Sequence, residues 1–434
     1  MSVKSVPKKG YKMVPWLFGK EIEIPEEWEF DKIENFCDKI TSGGTPNRSN
    51  SEYYQGQIPW IKSGELNNDF ISNSEEKITE AGLSNSSAKL FPKNTVLIAM
   101  YGATIGKTAI TEIESTTNQA ICAILPNSKF DSFYLQQLLI SMKNILISFG
   151  MGAGQPNINQ EIIKTFHIIF PPLPEQQKIA SILSNVDNLI QNTDKLIEKT
   201  TRLKKGLMQE LLVKGIGHTK FKKVKWLFGK EIAIPEEWAS SDLENSLNLL
   251  KDGTHNPPPR TITGIPLLSS EDIHNGIIDF EKDTSFISKE DYSEMQRKYE
   301  ITINDILLTV VGTLGRASLV RNNKKFAVQR SVAILRTNKK IDSEYLYNFI
   351  QSNYFQIQMD MRKNATAQSG VYLGQLAKIK IIYPDNITEQ KKIASILSNT
   401  DEKIQSYQRY KEKLQRLKKS LMQKLLTGEV RVAV

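Results

Sequence analysis

Gly102-Ala-Thr-Ile-Gly106-Lys107-Thr108 has the residue types of a loop that grips phosphate, with backbone N–H groups wrapping the anion and a lysine neutralising it. That wrap needs four residues between the glycines; this loop is one short, and Tyr101 stands where the first glycine belongs. A second version, Gly312-Thr-Leu-Gly315-Arg316-Ala317, has neither the lysine nor the hydroxyl. Both read better as turns, the first displaying Thr104 and Lys107. Asn256-Pro-Pro-Pro259 has the frame of a tetrapeptide that holds an extruded base for methyl transfer, but its last position needs an aromatic ring to stack. Pro384-Asp385 with Glu389-Gln-Lys391 could hold a divalent cation; the earlier Pro171-Pro-Leu-Pro-Glu175-Gln-Gln-Lys178 lacks the aspartate and shifts the lysine. Proline followed by glutamate is an ordinary helix start, which explains both stretches. His167, His218, His255 and His274 show no ligand spacing, and Cys37 and Cys122 form no CxxC. No nucleophile stands beside a base. The expectation is a chain with no catalysis, metal or cofactor of its own.

What positions such residues is a duplication. Glu175-Gln-Gln-Lys-Ile-Ala-Ser-Ile-Leu-Ser-Asn185 returns as Glu389-Gln-Lys-Lys-Ile-Ala-Ser-Ile-Leu-Ser-Asn399. Arg202-Leu-Lys-Lys-Gly-Leu-Met-Gln-Glu-Leu-Leu212 returns as Arg416-Leu-Lys-Lys-Ser-Leu-Met-Gln-Lys-Leu-Leu426, at the same offset of 214 residues. Gap-free spacing is what a continuous helix demands, since one inserted residue rotates every later side chain by about 100°. Heptad spacing places Ile179, Val186, Thr193, Thr200 and Leu207 on one row and Ile182, Leu189, Leu196 and Leu203 on a second. Leu183, Ile190, Ile197 and Leu211 widen the stripe. The second copy offers Ile393, Thr400, Tyr407, Leu414 and Leu421, then Ile396, Tyr410 and Leu417, with Leu397 on the widening row. Such a stripe predicts two helices that bury it against each other as an antiparallel coiled coil. Tyr407 and Tyr410 would fill the space left by Thr193 and Thr200, so Thr200→Trp is expected to destabilise the chain.

A shorter motif precedes each half. Trp16-Leu-Phe-Gly-Lys-Glu-Ile-Glu-Ile-Pro-Glu-Glu-Trp28 returns as Trp226-Leu-Phe-Gly-Lys-Glu-Ile-Ala-Ile-Pro-Glu-Glu-Trp238. Between motif and helix lie two less similar parts, each mixing strands (Thr95–Met100, Ala120–Leu125, Ile306–Val311, Ser331–Leu335) with helical runs (Phe133–Ile147, Ser343–Met359). Gly56-Gln-Ile-Pro-Trp60 parallels Gly264-Ile-Pro-Leu-Leu268, and Gln119 parallels Gln329. The fold class is α/β (α+β), a pseudo-two-fold tandem repeat. Its expected parts are globular 1–170, helix 171–215, globular 216–383 and helix 384–434. Near-identical helices imply one task done twice, whereas unlike globular parts imply two different things recognised.

The chain of 434 residues carries a net charge of +9, which favours an anionic partner such as nucleic acid. Its densest basic run, Lys204 and Lys205 with the linker Gly215–Lys225, is either a solvated linker or a phosphate contact. Two cysteines in this length fit a reducing compartment, and no apolar stretch long enough for a signal or a membrane span occurs, so the expected location is cytoplasmic.

In order and duplication the chain resembles the specificity subunits of type I restriction–modification systems. The residues that carry the resemblance are Ile-Pro-Glu-Glu-Trp, Ser42-Gly-Gly-Thr-Pro46, Ile58-Pro-Trp60, the Gly102–Lys107 loop and the Pro-Leu-Pro-Glu-Gln-Gln-Lys-Ile helix start. The resemblance implies a non-catalytic subunit whose two target-recognition domains each read half of a bipartite double-stranded DNA site. It also implies a coiled coil that sets the spacing and docks two adenine-N6 methyltransferase subunits, with restriction subunits joining later. S-adenosylmethionine and ATP with magnesium would then sit on those partners. A self-sufficient DNA-modifying enzyme, or a coiled-coil adaptor without DNA specificity, are the alternatives; methylation without partners, or absence of selective DNA binding, would reveal them.

Side-chain chemistry nominates the readers, since arginine suits guanine and asparagine or glutamine suits adenine. In the first half these are Thr45, Asn47, Arg48, Lys62, Ser63, Tyr101, Thr104, Lys107, Gln155 and Asn157. In the second they are Thr254, His255, Arg260, Ser269, Ser270, Thr313, Arg316, Gln329, Arg330, Gln368 and Tyr372.

Overall fold

The structure is a computed structural model. It describes the chain except residues 1–6, 17–19, 68, 151–156, 282–284, 298 and 364–369, and leaves the side chain of Phe228 undescribed. Gln155 and Gln368 therefore lie outside the described residues. The chain divides into two compact units: Met1–Asp194 with Tyr410–Val434, and Lys195–Arg409.

The first unit opens with a hairpin, Tyr11–Pro15 against Glu21–Pro25. Its main sheet orders Ile40–Ser42, Ile121–Ile124, Val96–Ala99, Thr108–Thr111 and Asp69–Ile71; only the last joins in parallel. The three inner strands Ile121–Ile124, Val96–Ala99 and Thr108–Thr111 are buried throughout, as a strand covered on both faces must be. A smaller sheet places Tyr54–Ile61 between Thr116–Thr117 and Glu76–Ile78. The helical run expected over 133–147 is two helices, Ser132–Ser141 and Lys143–Ser148. At the break Ser141 Oγ donates to the Leu138 carbonyl (2.7 Å), a local bond that competes with the helix.

The second unit repeats this plan. Its hairpin is Phe221–Lys225 against Glu231–Pro235, so the basic linker folds into the unit instead of hanging free. Its main sheet orders Leu247–Asp252, Val332–Thr337, Ile306–Thr309 and Ala317–Leu319. The helix expected over 343–359 again divides, into Ser343–Ile350 and Asn353–Met361, with Ser352 Oγ donating to the Phe349 carbonyl (2.6 Å).

The long helices run Leu173–Lys214 and Ile387–Leu425. In the first unit they pair antiparallel: Lys418 meets Asp187 at 2.7 Å and Lys411 meets Asp194 at 2.6 Å, so one index rises as the other falls. In the second unit Lys204 meets Asp401 at 2.7 Å, while Glu389 receives contacts from Ile216 and His218. Two of these pairs are images of one another, Asp187 matching Asp401 and Lys204 matching Lys418 at the helix offset.

The contact seam differs from the expected heptad frame. Ile179, Leu183, Val186, Thr193, Leu414 and Leu425 are buried in the first unit, and Met208, Leu212, Ile393, Leu397 and Thr400 in the second. Ile182, Ile190, Ile197, Leu207, Tyr407 and Leu421 are half-buried. Leu189, Leu196, Leu203, Ile396, Tyr410 and Leu417, assigned to the interface from their spacing, are exposed. The true second row is the widening one, 183, 190, 197, 204 and 211. Lysines at 204, 411 and 418 disguise it in the sequence, each laying its methylene stem along the seam and pairing its ammonium with an aspartate. Tyr410 consequently does not fill the space beside Thr193 and Thr200. Those threonines satisfy their own hydroxyls, donating to the Leu189 and Leu196 carbonyls (2.7 Å each).

Each helix start is locked into its unit by a Glu-Gln pair, fully buried in the first unit and with the glutamate half-buried in the second. Gln176 accepts from the Asp131 N–H and donates to the carbonyls of Lys129 and Pro171; Gln390 repeats this with Asp342, Lys340 and Pro384. Glu175 accepts from Trp28 Nε1 (2.9 Å) and from Arg431 Nε (2.7 Å) and Nη2 (2.9 Å). Glu389 holds His218 Nε2 (2.8 Å) and the Ile216 N–H (3.1 Å). Trp238, the counterpart of Trp28, is buried with its Nε1 unpartnered.

Candidate nucleic-acid interface

In the first unit the nominated residues gather where strands end. The strand Ile40–Ser42 runs into Gly43-Gly44, whose backbone packs so closely on Thr117 and Asn118 that a Cβ on Gly43 has no room. Trp60 Nε1 donates to the Gly44 carbonyl (2.9 Å), and the Thr45 hydroxyl donates to Gln119 Oε1. Asn47 is exposed on the same loop.

Arg48 follows, its guanidinium lying 4.7 Å from the centre of the Tyr54 ring and 4.6 Å from that of Trp60. Its Nη1 donates to Glu76 Oε2 at 2.6 Å. Lys62 spans Glu75 and Glu76, 3.0 Å from each, and Ser63 begins a short 3-10 turn beside it. The Arg48 hydrogen bond, ahead of the one from Lys62, holds the Glu76 carboxyl below its ordinary range, so it stays ionised at neutral pH. These two nominated cations are thus already paired within the unit.

Tyr101, Thr104 and Lys107 share the tight loop between Val96–Ala99 and Thr108–Thr111. Gly102 (φ 79°) and Gly106 (φ 70°) supply its left-handed positions, and the Gly106 N–H closes it on the Ala99 carbonyl (2.8 Å). This is a strand-joining turn, not a phosphate cradle. Backbone bonds from Met100 to Ala120 and from Ile158 to Met100 bring Gln119 and the exposed Asn157 against it.

The second unit assembles its counterparts from the same places. Thr254 bridges Gln329, and the Arg330 N–H donates to the Thr254 carbonyl (3.0 Å). The Ser270 N–H donates to Ser331 Oγ, while Ser269 turns its N–H and hydroxyl to Asp272. The loop Gly312–Arg316 carries exposed Thr313, and Arg316 lies 3.4 Å from His274 Nδ1. The Val371 N–H donates to the Val310 carbonyl, setting Tyr372, 68% exposed, beside that loop. His255 pairs with Asp252 (2.7 Å), and Arg260 is exposed after its prolines.

Equivalent backbone bonds correct one correspondence. Asn118 donates its N–H to Ile61 and accepts from Ile121; Gln329 does the same with Leu268 and Val332. Asn118, not Gln119, therefore stands where Gln329 does. Sequence reading also missed Tyr54, Gln55, Trp60 and Glu76 around Arg48, which no local spacing links. They meet because Tyr54–Ile61 pairs with Glu76–Ile78.

Among the described residues no cluster of His, Cys, Asp or Glu could hold a metal ion, and no helix is long and apolar enough to cross a membrane. Burial pushes the Cys37 and Cys122 thiols up to about 12, which keeps them protonated and unreactive at neutral pH.

Compared with known proteins, residues 25–202 and 238–416 each match the family model described as the type I restriction modification DNA specificity domain. The specificity subunit of the type I restriction enzyme MjaVIII of Methanocaldococcus jannaschii is 28% identical over 419 residues, 95% of either chain. That of EcoR124I/EcoR124II of Escherichia coli is 29% identical over 176 residues, 39% of this chain and 42% of that one. Among solved structures, the S subunit of a type I restriction-modification system from M. genitalium superposes with a TM-score of 0.59 at 17% identity, covering 92% of this chain and 96% of that one.

Proposed function

Because this chain belongs to the type I restriction–modification DNA specificity family, matched once in each repeat, we propose that its two units each read one half of an asymmetric bipartite DNA target. The observation that carries this reading is a shared scaffold with unlike loops. Both units present the same strand-end turns, yet the first carries Arg48 and Lys62 there and the second Arg316, Arg330 and Tyr372. Phosphate contacts then position each unit, and base-edge contacts select the sequence.

The working division is recognition by 1–170 and 216–383, with 171–215 and 384–434 as spacer helices. A helix of 42 residues is about 63 Å long at 1.5 Å per residue. With DNA repeating one face about every 34–36 Å, half-site centres on the order of 10–14 base pairs apart suit such a spacer. The exposed heptad row Leu189, Leu196 and Leu203, with Ile396, Tyr410 and Leu417, is the surface assigned to methyltransferase subunits, since apolar groups at this spacing call for a covering helix. Restriction subunits complete the assembly, S-adenosylmethionine and ATP with magnesium belong to those partners, and the complex works in the cytoplasm.

The test is methylation mapping in cells that carry this chain with its methyltransferase subunits. A two-part, asymmetric methylated site is expected, and one added heptad in both helices should lengthen the unread spacer while keeping both half-sites. A single undivided site, or a spacer indifferent to helix length, would overturn the reading.

A further inference from the structure

A cleft of about 480 Å³ opens in the first unit beside Arg48, lined by Tyr54, Gln55, Gly56, Glu75, Glu76 and Lys77. Two independent features mark it. Gln55 has φ 62°, in the left-handed region that L side chains rarely adopt. Among the described non-glycine residues only Asn94 and Asn304 share that region, and asparagine tolerates it. Gln55 sits where the register of Tyr54–Ile61 against Glu76–Ile78 shifts between Tyr54 and Ile58. Such irregularities re-aim a side chain out of the strand's alternation, and strain of this kind persists only where the surroundings enforce it.

Arg48 is fixed in the same cleft by different means. Two aromatic rings hold its plane and Glu76 holds one edge. A guanidinium has five N–H donors, and among the described residues those beyond Nη1 make no hydrogen bond. The edge left over is the fork that fits guanine O6 and N7, and a glutamine amide fits the adenine edge. With Arg48 and Lys62 both facing carboxylates, the cleft offers directional donors with little excess charge, which suits a base edge better than a phosphate.

We propose that Arg48 and Gln55 are specificity-determining residues of the first unit, contacting neighbouring base pairs of its half-site, with Tyr54, Trp60 and Glu76 as the positioning residues. This inference rests on the reading of the chain as a DNA-recognition subunit. It adds Gln55, whose place in the sequence gave no hint of a role.

The experiment uses the complete complex with methyltransferase subunits and the target found by methylation mapping. Competition binding is measured against oligonucleotides substituted one base pair at a time. Arg48→Lys keeps the charge but loses the fork, and Gln55→Gly keeps the backbone conformation but loses the amide. Each should lower discrimination about tenfold or more at one position, the two positions adjacent and in the same half-site, while the other half-site keeps its full discrimination. Glu76→Gln should weaken discrimination at the Arg48 position alone. Unchanged discrimination in Arg48→Lys and Gln55→Gly would overturn the proposal while leaving the recognition function standing. A wild-type complex without a bipartite target would instead sink the function itself.

Discussion

The helix starts and the strand-end loops are both duplicated, and they have fared differently. Gln176 and Gln390 make the same three contacts in the two units. The loops share backbone bonds but almost no side chains. Where a contact holds the scaffold, its geometry leaves no room for change; where a loop faces outward, only the turn must be kept. Between these extremes lie Glu175 and Glu389. The first binds a tryptophan and an arginine from distant parts of the chain, the second a histidine and a backbone N–H just beyond the preceding helix.

That asymmetry can be broken experimentally. Glu175→Ala strips the acceptor from Trp28 and Arg431 and should cost about 3 kcal/mol. Glu389→Ala should cost about 1–2 kcal/mol, because it accepts two hydrogen bonds against three and its partners can turn to water. Urea denaturation followed by tryptophan emission measures both, and equal losses would contradict the difference. Next, Trp28→Phe should cost about 1–2 kcal/mol more than Trp238→Phe, since only Trp28 donates a hydrogen bond. Equal costs by the same titration would mean that Trp238 Nε1 finds a partner after all.

The outward row sharpens the contrast between holding and displaying. Leu203→Gln should change stability by no more than about 0.5 kcal/mol, as an exposed substitution does, yet reduce co-purification with the methyltransferase subunit. A loss of several kcal/mol would place Leu203 in the seam. The smallest effect separates the two reading surfaces electrostatically. Arg330→Gln should reduce the slope of log affinity against log salt by about 1. Arg48→Gln should leave that slope nearly unchanged, because Glu76 already neutralises Arg48. Filter binding across a salt series decides between equal and unequal slopes.

The duplication, the helices and their antiparallel pairing were legible in the sequence, because repeats and heptads are periodic signals. The heptad frame was not, since lysine at 204, 411 and 418 reads as a solvated position until its aspartate is seen across the seam. The loops that carry Thr45 and Lys107 in the first unit, and Thr254 and Arg316 in the second, were nominated from residue type, and strand pairing gathers each set within its own unit. The cage of Arg48 was hidden for a different reason. Tyr54, Trp60 and Glu76 become neighbours only through a sheet whose register slips, and nothing local announces the slip.

The pairing of Lys411 with Asp194 has a consequence for which strands can associate. At the helix offset its image would be Ile197 with Gln408, so this one bond has no twin. If two first helices from separate molecules lay antiparallel in the same alignment, Asp187 would still meet Lys204, but Asp194 would confront Ile197. Two second helices would join Asp401 to Lys418 and leave Lys411 facing Gln408. Couples of like helices thus forfeit an ionic contact that the unlike couple keeps, so the seam favours a first helix against a second over either against its own kind.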